Sequence, residues 1–363
     1  MDQPRHLSHL DALRGYAILG VIFFHVASLY TLPPIMGRVL SGGSHGVQLF
    51  FVVSAVTLMM SWNARNDGAP AFWVRRVFRL MPMWLLAVVG WMILRGGGKE
   101  AWAPDGVSMT DVALAVSLLH GLSPTAINGV VPGGWSIAAE ATFYVFFPLL
   151  AFWITSPVKA AIFCILALAV CFAGDFWLLL VAQLPYPRYL VLAFIEFWFI
   201  NQLPVFAFGI LVYQCLTRWK AGRPVAEGAV LLALLAIIAV PLLIPPYGQS
   251  IQYGVVLALL AFGMGQGGGR YLVNPVSVWI GQRSYSAYFW HFAFLQDPIN
   301  LPHREGGLPA YLLQLAIILV LTLAASHLSY TFIEKPGIAV GKELAKRVAA
   351  FGEARRPRAA GPV

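Results

Sequence analysis

Arg14 and His25 lie in one apolar run, LDALRGYAILGVIFFHVASLY. Eleven residues at about 100° each bring His25 back to within about 20° of Arg14, so on a helix they share one face, roughly 16 Å apart along its axis. Imidazole titrates near neutral pH and suits general-base work, and one at membrane depth, aligned with a cation at the cytoplasmic end of the same face, is costly without a use. A snorkelling arginine beside a packed histidine is the plainer alternative. Arg75, Arg76 and Arg79 follow in WVRRVFRLMPMW. Arg75 and Arg79 are four apart, so one helical turn presents both guanidinium groups, a cradle for phosphates or simply a cytosolic stop signal. In PGGWSIAAEATFYVFFPLL, Ser136, Glu140, Phe143 and Tyr144 fall on one helix face. Glu140 is the most deeply placed carboxylate of the chain. In WIGQRSYSAYFWHF, Ser284, Tyr288 and His291 again share a face. That face either lines a cavity with His25 and Glu140 or forms a packed polar seam between helices.

The remaining polar groups carry less. Asp175 and Glu196 read as interface residues near span ends, and His120, His303 and His327 have no aligned partners. Cys164, Cys171 and Cys215 sit in apolar stretches without CxxC or zinc spacing, so they read as small core residues, with no metal and no disulfide expected.

The elements that must position these residues are set by composition. Charged residues make up 11% of 363, hydrophobic residues 59%, and the mean hydropathy is +0.75. A soluble chain carries roughly 25% charge, so a soluble enzyme, a disordered chain and a fibrous protein are all excluded. Apolar runs recur at about 12–32, 46–62, 80–95, 111–127, 135–155, 158–181, 190–213, 226–245, 250–264, 277–296 and 309–333. Basic clusters at 63–79, 214–224 and beyond Glu334 all fall inside if the N-terminus is cytoplasmic, provided that one of the eleven runs fails to cross. The weakest is 111–127, which carries Asp111, His120, Gly121 and Pro124. The expectation is an all-α polytopic membrane protein of about ten spans with both termini cytoplasmic. On that plan the inner side holds Arg5, Lys159 and Arg270 besides the clusters, and the outer loops hold only Arg38, Lys99, Arg188 and Arg304. Residues 1–336 form the membrane domain and 337–363 a basic cytoplasmic tail, amphipathic or disordered, near anionic lipid. No cleavable signal peptide is visible. The formal charge of +9 is scattered over loops, which suits anionic lipid and cytosolic anions and not nucleic acid.

The ordered motifs resemble the acyltransferase-3 family of bacterial membrane acyltransferases from about residue 8 to 336. Arg14 and His25 match its first pair. Phe50, Phe51, Ser54 and Ala55 are similar to its Phe-Phe-x-x-Ser-Gly, and Arg75, Arg76, Arg79 and Pro82 to its basic turn. Trp135, Ser136, Ile137 and Glu140 resemble its Trp-Ser-Leu-x-x-Glu, and Pro204, Phe206 and Gly209 its Pro-x-Phe-x-x-Gly. Ser284, Tyr285, Tyr288 and His291 match its Ser-Tyr-x-x-Tyr-x-x-His, and Glu334 and Pro336 close the series. Ala55 in place of Gly is expected to remove a close helix contact, and Ile137 in place of Leu to be neutral.

The resemblance implies transfer of an acyl group, usually acetyl, from cytosolic acyl-CoA to a hydroxyl of a sugar or glycan such as a cell-surface polysaccharide. It also implies location in the bacterial inner membrane. Some relatives carry a further extracytoplasmic domain; this chain is expected to lack one and to finish the reaction in the membrane or through a separate extracytoplasmic transfer protein. His25 is the expected base, oriented by Glu140, with Arg14 as the third catalytic residue. Arg75, Arg76 and Arg79 are expected on the acyl-CoA phosphates. Ser54, Trp135, Ser136, Ser284, Tyr288 and His291 are candidate cavity residues, with Tyr288 or Ser284 as oxyanion donor. Acyl-CoA is a donor substrate, and no permanently bound cofactor is expected. Acylation of a small hydroxylated natural product, an acyl-enzyme route through His25 or Ser284, a carrier, and a sensor without catalysis remain as alternatives.

Overall fold

The computed structural model describes residues 8–65, 67–180, 184–245, 248–296 and 306–354. Arg5, His303, Arg304 and the tail from 355 to 363 lie outside the described residues. The chain runs through α1 (Ser8–Ala27), α2 (Pro34–Ser41), α3 (Gly46–Asn63), α4 (Gly68–Arg95), α5 (Met109–Val116), α6 (Ala126–Gly129), α7 (Gly134–Trp153) and α8 (Pro157–Leu180). It continues through α9 (Arg188–Phe197), α10 (Phe199–Arg218), α11 (Arg223–Leu243), α12 (Ser250–Gly265), α13 (Pro275–Gln282), α14 (Ser284–Phe294), α15 (Gly307–Ser329) and α16 (Lys335–Ala354). No strand occurs among the described residues.

Eight helical stretches among them are long and apolar enough to cross a membrane: Ser8–Ala27, Pro34–Asn63, Gly68–Arg95, Gly134–Trp153, Pro157–Leu180, Arg188–Arg218, Arg223–Leu243 and Gly307–Phe351. The chain is therefore an all-α polytopic membrane protein. Its outward faces are apolar, with Leu149, Phe152 and Leu243 among the exposed large side chains, as lipid requires and water would not tolerate. The α12 helix and the α13–α14 pair are apolar but shorter.

The run 111–127 breaks into α5, a turn at His120–Leu122 and α6, none long enough to span. Its charge explains part of this. Ser108 and Asp111 close a reciprocal N-terminal cap on α5, and Thr125 donates to Asp111 at 2.9 Å, folding the segment back on itself. Leu118 takes a left-handed φ of 62°, which ends the helix after two turns.

The first helix is clamped to the end of α13. A Cβ on Gly281 would lie 1.7 Å from the carbonyl oxygen of Asp11, and one on Gly15 would lie 2.3 Å from that of Ser277. Only glycine lets these two backbones meet. The expected loss of contact at Ala55 does not occur. Its methyl group is fully buried where Gly209 leaves room, a Cβ on Gly209 falling 2.7 Å from it. The glycine on the partner helix lets α3 and α10 stay close. Beyond α15 the chain does not leave the bundle. A π-helical turn at Tyr330–Glu334 leads directly into α16, which lies on α4, with Gly337 and Gly341 against Pro82 and Phe78.

Candidate active site

Two connected spaces open between α1, α3, α4, α7, α14 and α16. The outer one, a vestibule of about 410 Å³, is lined by Arg14, Arg65, Arg75, Arg76, Arg79 and Lys342, with Asp11 its one acidic side chain. Arg75 is held by both carboxylate oxygens of Asp67. Arg79 pairs with Glu334, which is 1% exposed and also accepts a hydrogen bond from Ser286 at 2.8 Å. The π-helical turn delivers Glu334 to this position, binding the α15–α16 junction to both α4 and α14. Arg76 lies over the Phe72 and Tyr144 rings at 5.4 and 5.7 Å, and its Nε has no hydrogen-bond partner among the described residues.

The vestibule shares Arg14, Thr57, Arg76 and Arg79 with an inner cavity of about 90 Å³. Pockets for drug-sized ligands run to roughly 300–1,000 Å³, a range that includes the vestibule and not the inner space. Arg14 donates to Asp11 at 3.0 Å and to Thr57 at 2.8 Å, which fixes the guanidinium at the junction. Farther in, Glu140 accepts hydrogen bonds from Ser54 at 2.7 Å and from Tyr144. Ser136, Ser284, Tyr285 and Tyr288 complete the polar wall. Ser136 donates to the Gly133 carbonyl at 2.9 Å and Tyr288 to the same oxygen at 3.1 Å. Gly133 has φ +75°, and a Cβ there would meet the Tyr288 hydroxyl at 2.7 Å and Phe292 at 2.6 Å. The Pro-Gly-Gly turn before α7 thus lets the start of one helix reach the middle of another.

His25 is outside the lining of this cavity. Its Nδ1 is 2.9 Å from the carbonyl of Val21, and its ring packs against His291 at 5.2 Å and Phe292 at 4.7 Å. His291 in turn lies 5.6 Å from the Tyr288 ring. A carbonyl only accepts, so Nδ1 of His25 carries the hydrogen and Nε2 keeps a lone pair.

The sequence-predicted residues therefore fall into two groups. Arg14, Ser54, Arg76, Arg79, Ser136, Glu140, Ser284 and Tyr288 line the cavity, and Arg75 lines its mouth. Three expectations change. Glu140 does not orient His25, because its hydrogen bonds come from Ser54 and Tyr144 while His25 is held by its own helix. Trp135 is not on the cavity wall: it sits one residue, about 100°, from Ser136 and stacks on Phe197 at 4.6 Å. His291 lines no part of the cavity and packs on His25 instead. His120 is a packing residue, stacked on Trp84 at 4.7 Å and bonded to the Gly134 carbonyl at 2.9 Å. Asp175 accepts from Asn201 at 3.1 Å. His327 accepts from Arg283 at 3.0 Å.

Sequence reasoning passed over Thr57, Tyr285, Arg65 and Lys342 as site residues. Thr57 has a signal in hindsight, three residues from Ser54 and so on the same helix face. Lys342 has none, because nothing local indicates that the tail helix returns to the vestibule. Among the described residues, no group of three His, Cys, Asp or Glu stands close enough to hold a metal ion.

The site is thus a basic mouth over a smaller polar cavity in a helical membrane protein. The comparisons give that architecture its family. The acyltransferase domain profile of the acyltransferase-3 family matches residues 7–331, and the chain belongs to this family of acyl-transferring enzymes. It is 25% identical to a Staphylococcus aureus protein named as an O-acetyltransferase, over 92% of this chain and 57% of that one. It is 28% identical to the acyltransferase MdmB of Streptomyces mycarofaciens over 91% of both chains. A protein of Acidianus two-tailed virus named as an acetyltransferase is 25% identical over 80% of this chain and 83% of its own length. The chain thus spans a little over half the length of the staphylococcal relatives it matches. No solved structure gives a significant match.

Proposed function

We propose that the protein is an O-acyltransferase of the bacterial inner membrane that moves an acetyl or similar acyl group from cytosolic acyl-CoA to a hydroxyl of a sugar, as part of a cell-surface polysaccharide. The observation that carries this reading is the continuity of the six-cation vestibule with the inner cavity through Arg14, Thr57, Arg76 and Arg79. Guanidinium groups bind phosphate in a bidentate fashion. In the proposed complex the nucleotide phosphates rest on Arg75, Arg76, Arg79 and Lys342, and the pantetheine arm passes Arg14 toward Tyr288.

The acceptor approaches the half-buried His25 from the opposite side of Tyr288. His25 Nε2 takes the hydroxyl proton as the oxygen attacks the thioester carbon, the carbon–sulfur bond breaks, and the proton passes on to the thiolate. The Tyr288 hydroxyl, whose single O–H rests on the Gly133 carbonyl at 3.1 Å, turns from that acceptor to the developing charge as the oxyanion donor of this mechanism. Glu140 serves the donor side, holding Ser54 and Tyr144 among the arginines. Mass spectrometry of surface glycans from cells with and without the gene tests the acceptor. A missing acetyl mass on one sugar is expected, and identical glycan spectra would contradict the polysaccharide assignment.

A further inference from the structure

The vestibule holds more cations than the carboxylates beside it neutralise. Arg14 pairs with Asp11 at 3.0 Å, Arg75 with Asp67 and Arg79 with Glu334. Arg65, Arg76 and Lys342 form no ion pair among the described residues, and all three line the vestibule. They stand at two depths. Arg76 is part-buried and lines the inner cavity as well. Arg65, just past the end of α3, and Lys342, on α16, are exposed and line the vestibule alone. Unneutralised positive charge is therefore divided between the inner opening and the solvent rim.

Acyl-CoA divides its negative charge in the same order. From the thioester, the pantetheine arm leads first to the diphosphate and then to the ribose, whose 3′-phosphate is a monoester of charge about −1.5 to −2 near neutral pH. With the thioester in the inner cavity, the diphosphate comes to the level of Arg76 and the 3′-phosphate lies toward solvent. A thioester on a protein-bound phosphopantetheine has a single phosphodiester and no ribose phosphate, so it offers the rim cations nothing to bind. We infer that Arg65 and Lys342 bind the ribose 3′-phosphate of the donor, and that this contact selects CoA thioesters over thioesters that lack it, those of phosphopantetheine-bearing carrier proteins included. The inference rests on the acyl-CoA reading of this site and deepens it by dividing the phosphates. Arg75, Arg76 and Arg79 hold the diphosphate, and the rim holds the ribose phosphate. Lys342 reaches the vestibule on α16, so the return of that helix onto α4 becomes a determinant of donor choice.

The test uses the full-length protein in phosphatidylcholine nanodiscs, whose headgroups carry no net charge to compete for the cations. Binding of CoA and of 3′-dephospho-CoA is measured by isothermal titration calorimetry at low salt, because exposed pairs are screened. An exposed ion pair is worth up to about fivefold in affinity, and two on one dianion set the expected preference of the wild type for CoA at about 10-fold. In the double variant Arg65→Gln, Lys342→Gln that preference should disappear, through weaker binding of CoA with the Kd for 3′-dephospho-CoA little changed. Arg76→Gln is the contrast, expected to weaken both ligands alike and to keep the preference. KM values for acetyl-CoA and acetyl-3′-dephospho-CoA should follow the same pattern. Equal affinity of the wild type for the two ligands would overturn the inference while leaving acyl-CoA as the donor, and so would a preference that survives in the double variant. A wild type that binds neither ligand would overturn the acyl-CoA reading itself and the inference with it.

Discussion

Glu140 and His25 show how far single residues can be read from a sequence. Both stand out because ionisable groups at membrane depth are costly. That cost does not say which partner each has. Helical spacing gives direction around one axis, whereas the meeting of Glu140 with Ser54 and of His25 with His291 depends on how four helices rotate against each other. The chemistry then separates. If Glu140 oriented the base, Glu140→Gln would shift the acidic limb of the pH–rate profile. The structure has Glu140 holding Ser54 and Tyr144, so Glu140→Gln is expected to lower kcat/KM roughly 10-fold through lost charged hydrogen bonds while the limb stays where it is in the wild type. A pH series on the purified variant checks this. Ser54→Ala removes one of the same bonds, and its loss and that of Glu140→Gln should not add, because both act on one network.

Helices are the scale at which most of the fold was legible. Ten of the eleven apolar runs form long helical stretches, and the eleventh fails to span partly through the Asp111 that marked it and partly through the left-handed Leu118, which nothing in the sequence suggested. What composition could not give is where a run breaks. The chain divides at Trp198, between α9 and α10, and at Arg283, between α13 and α14, with no proline at either point. The second break begins α14 at Ser284 on the cavity wall. Close helix contacts were equally hidden, because the need for Gly281 lies in the Asp11 carbonyl 270 residues earlier. Gly281→Ala must push α1 from α13, and overpacking of this kind costs about 1–3 kcal/mol. Gly90→Ala is the control, since a Cβ there meets nothing within 4 Å and alanine favours the helix by up to about 1 kcal/mol. Thermal unfolding in detergent is expected to show a Tm several degrees lower for Gly281→Ala at this cost and an equal or higher Tm for Gly90→Ala.

Across the whole molecule, the return of α16 onto α4 gives the vestibule one of its walls. The basic tail looked like a lipid-facing appendage because its charges and its amphipathic pattern suit a membrane surface. Its helix also carries Lys342 to the wall that Arg75, Arg76 and Arg79 line. Such a mouth is electrostatic, so KM for acetyl-CoA is expected to rise with ionic strength as screening shortens the reach of the cations. The pair Arg75→Gln and Arg79→Gln should raise KM at low salt and flatten its salt dependence, with kcat little changed. An unaltered KM would leave these arginines as orientation signals alone. In the proposed reaction acyl-CoA enters through this mouth and its acyl group leaves on a hydroxyl activated by His25. The most direct measurement is CoA release from acetyl-CoA by the purified protein, with and without a hydroxyl acceptor, in wild type and His25→Ala. Acceptor-dependent release that falls by about 10²–10⁴-fold in a correctly inserted His25→Ala protein is predicted. Release at the wild-type rate by that variant would contradict it.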